Sequence, residues 1–304
     1  MSEPVISLSG VFPPITTPFD AGGNVAYDAL VANLERWNAY DLAGYVVLGS
    51  NGEAPFLTAD EKASILTLCR EAIPSGKLLI AGTGSESTRA TIALTNFAAE
   101  AGADAALVVT PHYYGPKMTP DALVRHYHQV ADASPIPIIL YNVPKATHLD
   151  MDATTIARGA QHPNVLGVKE SSGNVVKLAD IVRQCRPGFQ VLAGTAGFFF
   201  PALAVGAVGG VLALANIAPQ HCIDIHHLHR SGYWAEAAEL QRRMIPVNAA
   251  VTARYDIAGL KAALDMLGYY GGPVRSPLLD LTDSDRDALR AILIDGGILP
   301  PSPS

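Results

Sequence analysis

The feature that most constrains this chain is an alternation, repeated eight times, of a short apolar run with a longer amphipathic stretch. The runs are Val11–Thr16, Tyr45–Gly49, Leu78–Thr83, Ala106–Thr110, Ile138–Tyr141, Leu166–Lys169, Val191–Gly194 and Val211–Ala215. Each is short and nearly continuous in apolar residues, the pattern of a strand buried on both faces. The first contains Pro13-Pro14, which suits a barrel rim better than a sheet centre. The stretches between them have helical period and visible start signals. Thr58-Ala-Asp-Glu61 reads as a capping box ahead of Ile65 and Leu68, Thr119-Pro120 and Asp152 read as N-caps, and Ala99–Gly102 reads as a helix stop. Eight strand–helix units predict an α/β fold, a parallel (β/α)8 TIM barrel. An open doubly wound sheet stays possible on periodicity alone, because a count of strands does not prove closure.

Beyond Ile217 the strands stop. Tyr233–Ala249, Ile257–Leu267 and Ser284–Ile294 read as three helices that closure of a barrel does not need. The expected organisation is a barrel carrying the active site over residues 1–230 and a helical extension packed on it over 231–304. With 304 residues, 49% of them hydrophobic, the chain can bury one large core. A net charge of -7 leaves no basic footprint for nucleic acid or an anionic membrane. No apolar stretch approaches the roughly 18 residues of a membrane span. Cys69, Cys185 and Cys222 are too scattered for a metal site or a disulfide framework, which suits a reducing compartment. The start of the chain has no basic region leading into an apolar run, so a cytoplasmic location is expected.

Active sites of such barrels lie at the C-terminal ends of the strands, so polar residues that end apolar runs are the first candidates. Lys169 is the sharpest. Burying an amine disfavours its charged form, and the free amine is what a Schiff-base nucleophile needs. Strand alternation puts Lys169 on one face and Val168 and Glu170 on the other, so Lys169 can face the barrel interior. A lysine snorkelling from a strand end, or paired with Glu170, fits the local pattern equally well. Tyr141 ends the preceding strand, 169 − 141 = 28 residues earlier, one helix-and-strand unit away. Their side chains should therefore reach one substrate, with Tyr141 shuttling a proton through hydroxyls such as Ser50 or Tyr113. Taken singly, each tyrosine also reads as a packed aromatic.

Gly49-Ser50-Asn51-Gly52 gives a tight turn whose N–H groups suit a carboxylate, with Glu53 bracing it. Gly82-Thr-Gly-Ser-Glu86 and Gly194-Thr-Ala-Gly197 resemble phosphate cradles only loosely, and strand-end turns explain them. Among His221, His226, His227 and His229 only His226 and His229 share a helix face, and no carboxylate or cysteine completes a ligand set. No metal site is expected.

Together these segments resemble the dihydrodipicolinate synthase/N-acetylneuraminate lyase family of class I aldolases over nearly the whole chain. The resemblance lies in Pro13-Pro14-Ile-Thr-Thr-Pro18-Phe, Gly49-Ser-Asn-Gly-Glu53, Tyr141-Asn-Val-Pro144 and Gly167-Val-Lys-Glu-Ser171, in order and at barrel-unit spacing. It implies that Lys169 is the Schiff-base lysine and Tyr141 the acid/base over the imine. It further implies that Ser50 links Tyr141 to Tyr113, the latter normally supplied by a neighbouring subunit of a homotetramer. Ser50 and Asn51 would cradle the pyruvyl carboxylate, with Asn51, Ser171, Gly194 and Leu212 as further substrate contacts. The synthases of the family carry an arginine after Tyr-Asn-Val-Pro that binds the aldehyde's carboxylate; here that position is Ala146, within Lys145-Ala-Thr147. Ser50-Asn51 also replaces the usual paired threonines.

Within the family, the nearest resemblance is to the 4-hydroxy-2-oxoglutarate aldolases, through Gly49–Thr58, Ser134-Pro-Ile-Pro137, Gln190–Gly194, Gly206–Val211, Asn248–Thr252 and Gly268–Pro273. The expected activity is therefore cleavage of 4-hydroxy-2-oxoglutarate to pyruvate and glyoxylate, with a small-molecule 2-oxo acid as substrate, a homotetramer built as a dimer of dimers as the assembly, and no cofactor beyond the Lys169 imine. The alternatives are 4-hydroxy-tetrahydrodipicolinate synthase, another 2-oxo-acid or sugar-acid aldolase or dehydratase, and a non-catalytic pyruvate-binding barrel. A sugar-phosphate enzyme is disfavoured, because no basic residue accompanies Gly194–Gly197.

Overall fold

The computed structural model describes residues 6–301; the outermost residues of both expected segments, 1–5 and 302–304, lie outside it. Eight parallel strands run as β1 (Gly10–Phe12), β2 (Gly44–Val47), β3 (Leu78–Gly82), β4 (Ala105–Val109), β5 (Ile138–Asn142), β6 (Val165–Glu170), β7 (Gln190–Ala193) and β8 (Gly209–Val211). They pair in the order β1-β8-β7-β6-β5-β4-β3-β2. The ring closes just beyond β1. Pro13 has no N–H to give, but its carbonyl accepts from the Val46 N–H at 3.0 Å, and the Ile15 N–H donates to the Val46 carbonyl at 3.0 Å. The sheet is thus a barrel, and the open-sheet alternative falls away.

The helices begin where the sequence signals them. Thr58 and Glu61 exchange the two bonds of a capping box, and Thr119 and Asp152 cap the helices Pro120–Ala133 and Ala153–Gly159. Alternation along each strand then separates two apolar layers. Phe12, Val46, Ile80, Leu107, Ile139 and Leu192 fill the barrel, while Tyr45, Leu79, Val108, Leu140 and Val191 pack outward with the helices.

Two departures from the expected strands have visible causes. The eighth run stops at Val211, and Ala213–Asn216 winds into a 3-10 turn. The Asn216 side chain holds that turn by donating to the carbonyls of Ala213 and Pro14. In β6, the register against β5 slips by one residue between Ile138 and Ile139. Leu166 and Lys169 are three apart, so strict alternation would put them on opposite faces; the slip lets Leu166 join the interior while Lys169 pairs with Tyr141. Gly167 sits at the slip, where a Cβ would come within 2.2 Å of the Gln190 carbonyl oxygen.

The C-terminal helices are Trp234–Ala249, Asp256–Met266 and Asp283–Asp295, the first running into a π-helical turn at Ala250–Arg254. Val247, Val251, Leu260, Leu264 and Leu289 belong to the same apolar cluster as the strand–helix layer, so the extension shares the barrel's core. Among the described residues no helix is long and apolar enough to cross a membrane.

Candidate active site at the C-terminal mouth of the barrel

Lys169 and Tyr141 are direct neighbours in the β5–β6 register, and both side chains point into the barrel. Lys169 is 3% exposed, and its Nζ lies 4.0 Å from the centroid of the Tyr141 ring. Among the described residues it has no ion-pair partner. The pairing with Glu170 that the local pattern allowed does not occur. Glu170 faces the other way, wholly buried, where it accepts from Asn142 Nδ2 at 2.9 Å and the Ser172 N–H at 2.6 Å and lies 3.2 Å from Lys177 Nζ. Asn142 also donates to Asp150 and accepts from the Met151 N–H. Asn142 and Glu170 each follow a candidate reactive residue by one position, so this network fixes the strand ends that carry Tyr141 and Lys169. Sequence reasoning missed it, because nothing local ties Asn142 or Lys177 to Glu170.

Ser50 stands across the mouth with its Oγ 3.4 Å from the Tyr141 hydroxyl. That is longer than the roughly 2.5–3.0 Å of a formed O–H···O bond, a looseness common in ligand-free sites. Ser50–Gly52 is a 3-10 turn in which the Gly52 and Glu53 N–H groups bond to Gly49 and Ser50 carbonyls. The N–H groups of Ser50 and Asn51, at the start of the turn, have no such partner by construction. They are the N–H groups that the glycine-flanked sequence offered as a carboxylate nest. Glu53 does brace the turn, through Lys261 Nζ at 2.6 Å from its Oε1 and the Arg275 N–H at 2.8 Å from its Oε2. Both partners come from the C-terminal extension, and both were missed by the sequence reading.

On the β7 side, Ser171 Oγ is buried without a hydrogen-bond partner. Gly194 is what makes room for it, since a Cβ there would lie 1.8 Å from that oxygen. Leu212 is wholly buried, with its N–H bonded to the Phe12 carbonyl and its carbonyl to the Ala215 N–H. Tyr113 stands apart from this group. It is 76% exposed and in edge contact with Tyr114, while its own N–H and that of His112 donate to Glu86.

A cavity of about 420 Å³ opens from Ser50 and Tyr141 past Gly82, Gly84 and Val109 towards Glu86, His112 and Lys62. Burial lowers the Lys62 ammonium below the ordinary lysine value. Lys169 does not line this cavity, although Tyr141, whose ring its Nζ faces, does. The candidate site is therefore defined by Lys169 and its neighbours rather than by this cavity. The histidine-bearing helix lies elsewhere: His226 is buried against the Val208 carbonyl, and His227 is 3.7 Å from Asp41.

A buried lysine on a barrel strand, with a tyrosine in register beside it, is a constellation that comparison with known proteins can place. Residues 7–295 match the dihydrodipicolinate synthetase family. The chain belongs to that family. A 4-hydroxy-tetrahydrodipicolinate synthase of Methanothrix thermoacetophila is 36% identical over 285 residues, 93% of this chain and 95% of the relative. The Rhizobium meliloti protein of the same name is 36% identical over 294 residues, covering 96% and 99%. The crystal structure of the chloride-inhibited dihydrodipicolinate synthase from Acinetobacter baumannii, complexed with pyruvate, superimposes with a TM-score of 0.92 at 30% identity over 96% of this chain and all of that one. As a member of the dihydrodipicolinate synthetase family the chain is an aldolase-type lyase. The relatives bear the synthase name rather than that of the 4-hydroxy-2-oxoglutarate aldolases, so the comparisons support the family and not that subgroup.

Proposed function

We propose that this chain forms an imine between Lys169 and the ketone of a pyruvyl substrate and works on the carbon–carbon bond one atom further along. The observation that carries this reading is Lys169 itself: an amine buried in the barrel, without an ion-pair partner among the described residues, 4.0 Å from the ring of Tyr141. In the cleavage direction Nζ adds to C2 of 4-hydroxy-2-oxoglutarate and water leaves, giving an iminium that serves as electron sink. Tyr141, relayed through Ser50 and the Tyr113 of a neighbouring subunit, takes the proton from the C4 hydroxyl. The C3–C4 bond then breaks, glyoxylate departs, and the electron pair moves into the enamine. Protonation at C3 and hydrolysis release pyruvate and restore the amine. The Ser50 and Asn51 N–H groups hold the pyruvyl carboxylate, and Ser171 Oγ, otherwise unpartnered, is available to the distal half. No step calls on a metal or an organic cofactor, and the second tyrosine implies a homo-oligomer, a tetramer by family resemblance.

The second substrate divides two readings. The names of the relatives weigh towards condensation of pyruvate with aspartate semialdehyde, the synthase reaction. Position 146 weighs against it: Ala146 offers no donor, and the adjacent Lys145 is turned onto the Thr252 carbonyl at 2.6 Å and Asp256 at 2.7 Å. Losing a fixed bidentate donor removes an orienting contact that a lysine held elsewhere does not replace. We therefore place cleavage of 4-hydroxy-2-oxoglutarate first. Two assays run side by side decide it: pyruvate release from 4-hydroxy-2-oxoglutarate, and pyruvate consumption with aspartate semialdehyde. A larger kcat/KM in the second would reverse the order. Activity in neither, nor with other 2-oxo acids, would leave a pyruvate-binding barrel.

A further inference from the structure

The turn that would hold the substrate carboxylate is anchored from behind by the far end of the chain. We propose that Lys261 and Arg275 are positioning residues for substrate, fixing the Ser50 and Asn51 N–H groups through Glu53. This rests on the imine-forming reading above.

Glu53 ends the turn in a left-handed conformation, φ 53°, which a residue with a side chain adopts only where its surroundings impose it. Two contacts hold the backbone there. The Glu53 N–H donates to the Ser50 carbonyl at 3.1 Å, and the Gly52 carbonyl accepts from Thr17 Oγ1 at 2.7 Å. The side chain adds a further restraint, accepting from the Arg275 N–H at Oε2 with the Lys261 ammonium beside Oε1. Glu53 and Lys261 are 0% and 1% exposed, with Oε1 and Nζ 2.6 Å apart. Lys261 Nζ also donates to the Pro273 carbonyl at 2.7 Å and lies 4.3 Å from the Phe19 ring centroid. The Arg275 guanidinium covers the same ring at 4.2 Å, forks onto Glu61 with two bonds of 2.7 Å, and donates to the Phe56 carbonyl at 3.0 Å. Helix Asp256–Met266 and the segment after it therefore grip both ends of the stretch from Glu53 to Glu61.

Fold stability alone is a poor account of the pair. Removing two charges from water costs about as much as their attraction returns, and apolar residues of similar volume commonly serve as well. What the buried carboxylate supplies, and an apolar side chain does not, is direction, through the Arg275 N–H bond to Oε2, with the Lys261 ammonium beside Oε1 balancing its charge. It fixes where Glu53 sits, two residues after Asn51, and a displacement of about 1 Å at a positioning group can cost a large factor in rate or binding. The helical extension is, on this account, part of the substrate site.

The test is the pyruvate dependence of borohydride trapping at Lys169, measured beside the melting temperature. Wild type is compared with Lys261→Met and with the double variant Glu53→Gln/Lys261→Met. The single change strands a buried carboxylate and lowers stability; the double change leaves no buried charge and regains much of the melting temperature. The proposal expects the half-saturating pyruvate concentration to rise about tenfold in both, in keeping with a lost orienting contact, with full trapping still reached at saturation. If Lys261→Met does not fold, the double variant carries the same comparison. A double variant within about twofold of wild type, the range of a neutral surface change, overturns the positioning role. So does a rise confined to variants whose melting temperature has fallen. Absence of any adduct in wild type is a different result, and it overturns the imine reading itself.

Discussion

Tyr141 does two things with two separate parts of its side chain. Its ring packs against the Lys169 amine, and its hydroxyl points across the mouth to Ser50. Tyr141→Phe separates them, keeping the packing and removing the proton carrier. Turnover should fall about 10²- to 10⁴-fold, the usual contribution of a positioned acid/base, while the melting temperature stays near that of wild type. Steady-state kinetics beside a melting curve checks this, and a kcat within a few-fold of wild type would refute the proton role. At this scale the sequence was informative where chemistry and spacing coincide. The 28-residue step from Tyr141 to Lys169 put them on adjacent strand ends, and the register pairs them directly. Glu170 was readable as facing away from Lys169 or as paired with it; its side-chain partners Asn142 and Lys177 lie on the preceding strand and the following helix. No local pattern connects them.

Among the elements, strand identity was legible and strand ends were not, because ends are set by contacts from distant chain. The eighth run looked uniform to Ala215, yet the Asn216 side chain turns it after Val211. The slip that aims Lys169 inward depends on Gly167 fitting beneath the β7 backbone, a fact about β7 and not about β6. Gly194 is the corresponding point at the end of β7. A Cβ there would meet Ser171 Oγ at 1.8 Å and the Glu170 carbonyl at 2.8 Å. Gly194→Ala must therefore displace the end of β6, next to Lys169. We expect a loss of about 1–3 kcal/mol in stability, the cost of overpacking, and at least a tenfold loss of imine trapping in protein that remains folded. Denaturant melts and trapping yields measure the two effects, and unchanged trapping would show that β6 tolerates the shift. The extension's helices were read from their periodicity, but Lys261 and Arg275 were invisible as site residues. Their partners stand more than two hundred positions earlier, Arg275 and Glu53 being 222 residues apart.

The whole molecule carries a pH dependence set by buried histidines outside the site. His126 packs with its Nδ1 2.9 Å from Thr88 Oγ1, and burial pushes it down to about 4 from an ordinary 6.5. Between those values the unfolded chain takes up a proton that the folded chain does not. The stability it contributes is complete above pH 6.5 and is lost as pH falls towards 4, at about 1.4 kcal/mol per pH unit while the two states differ by one proton. His221 and His226 are also lowered by burial and share the direction. Glu61, held down to about 2 chiefly by its hydrogen bond to Arg275, adds a further loss only below its ordinary 4.5. The melting temperature should decline from pH 6.5 to 4, and His126→Gln should flatten part of that decline. An identical slope in the variant would assign the loss to other groups.

The proposed chemistry passes through one atom, the Lys169 Nζ. Incubating the chain with pyruvate and borohydride, followed by peptide mass spectrometry, examines that atom directly. The account predicts a reduced pyruvyl adduct on the peptide containing Lys169, absent from Lys169→Ala. Full incubation without an adduct, or with one on another lysine such as Lys62, would contradict it.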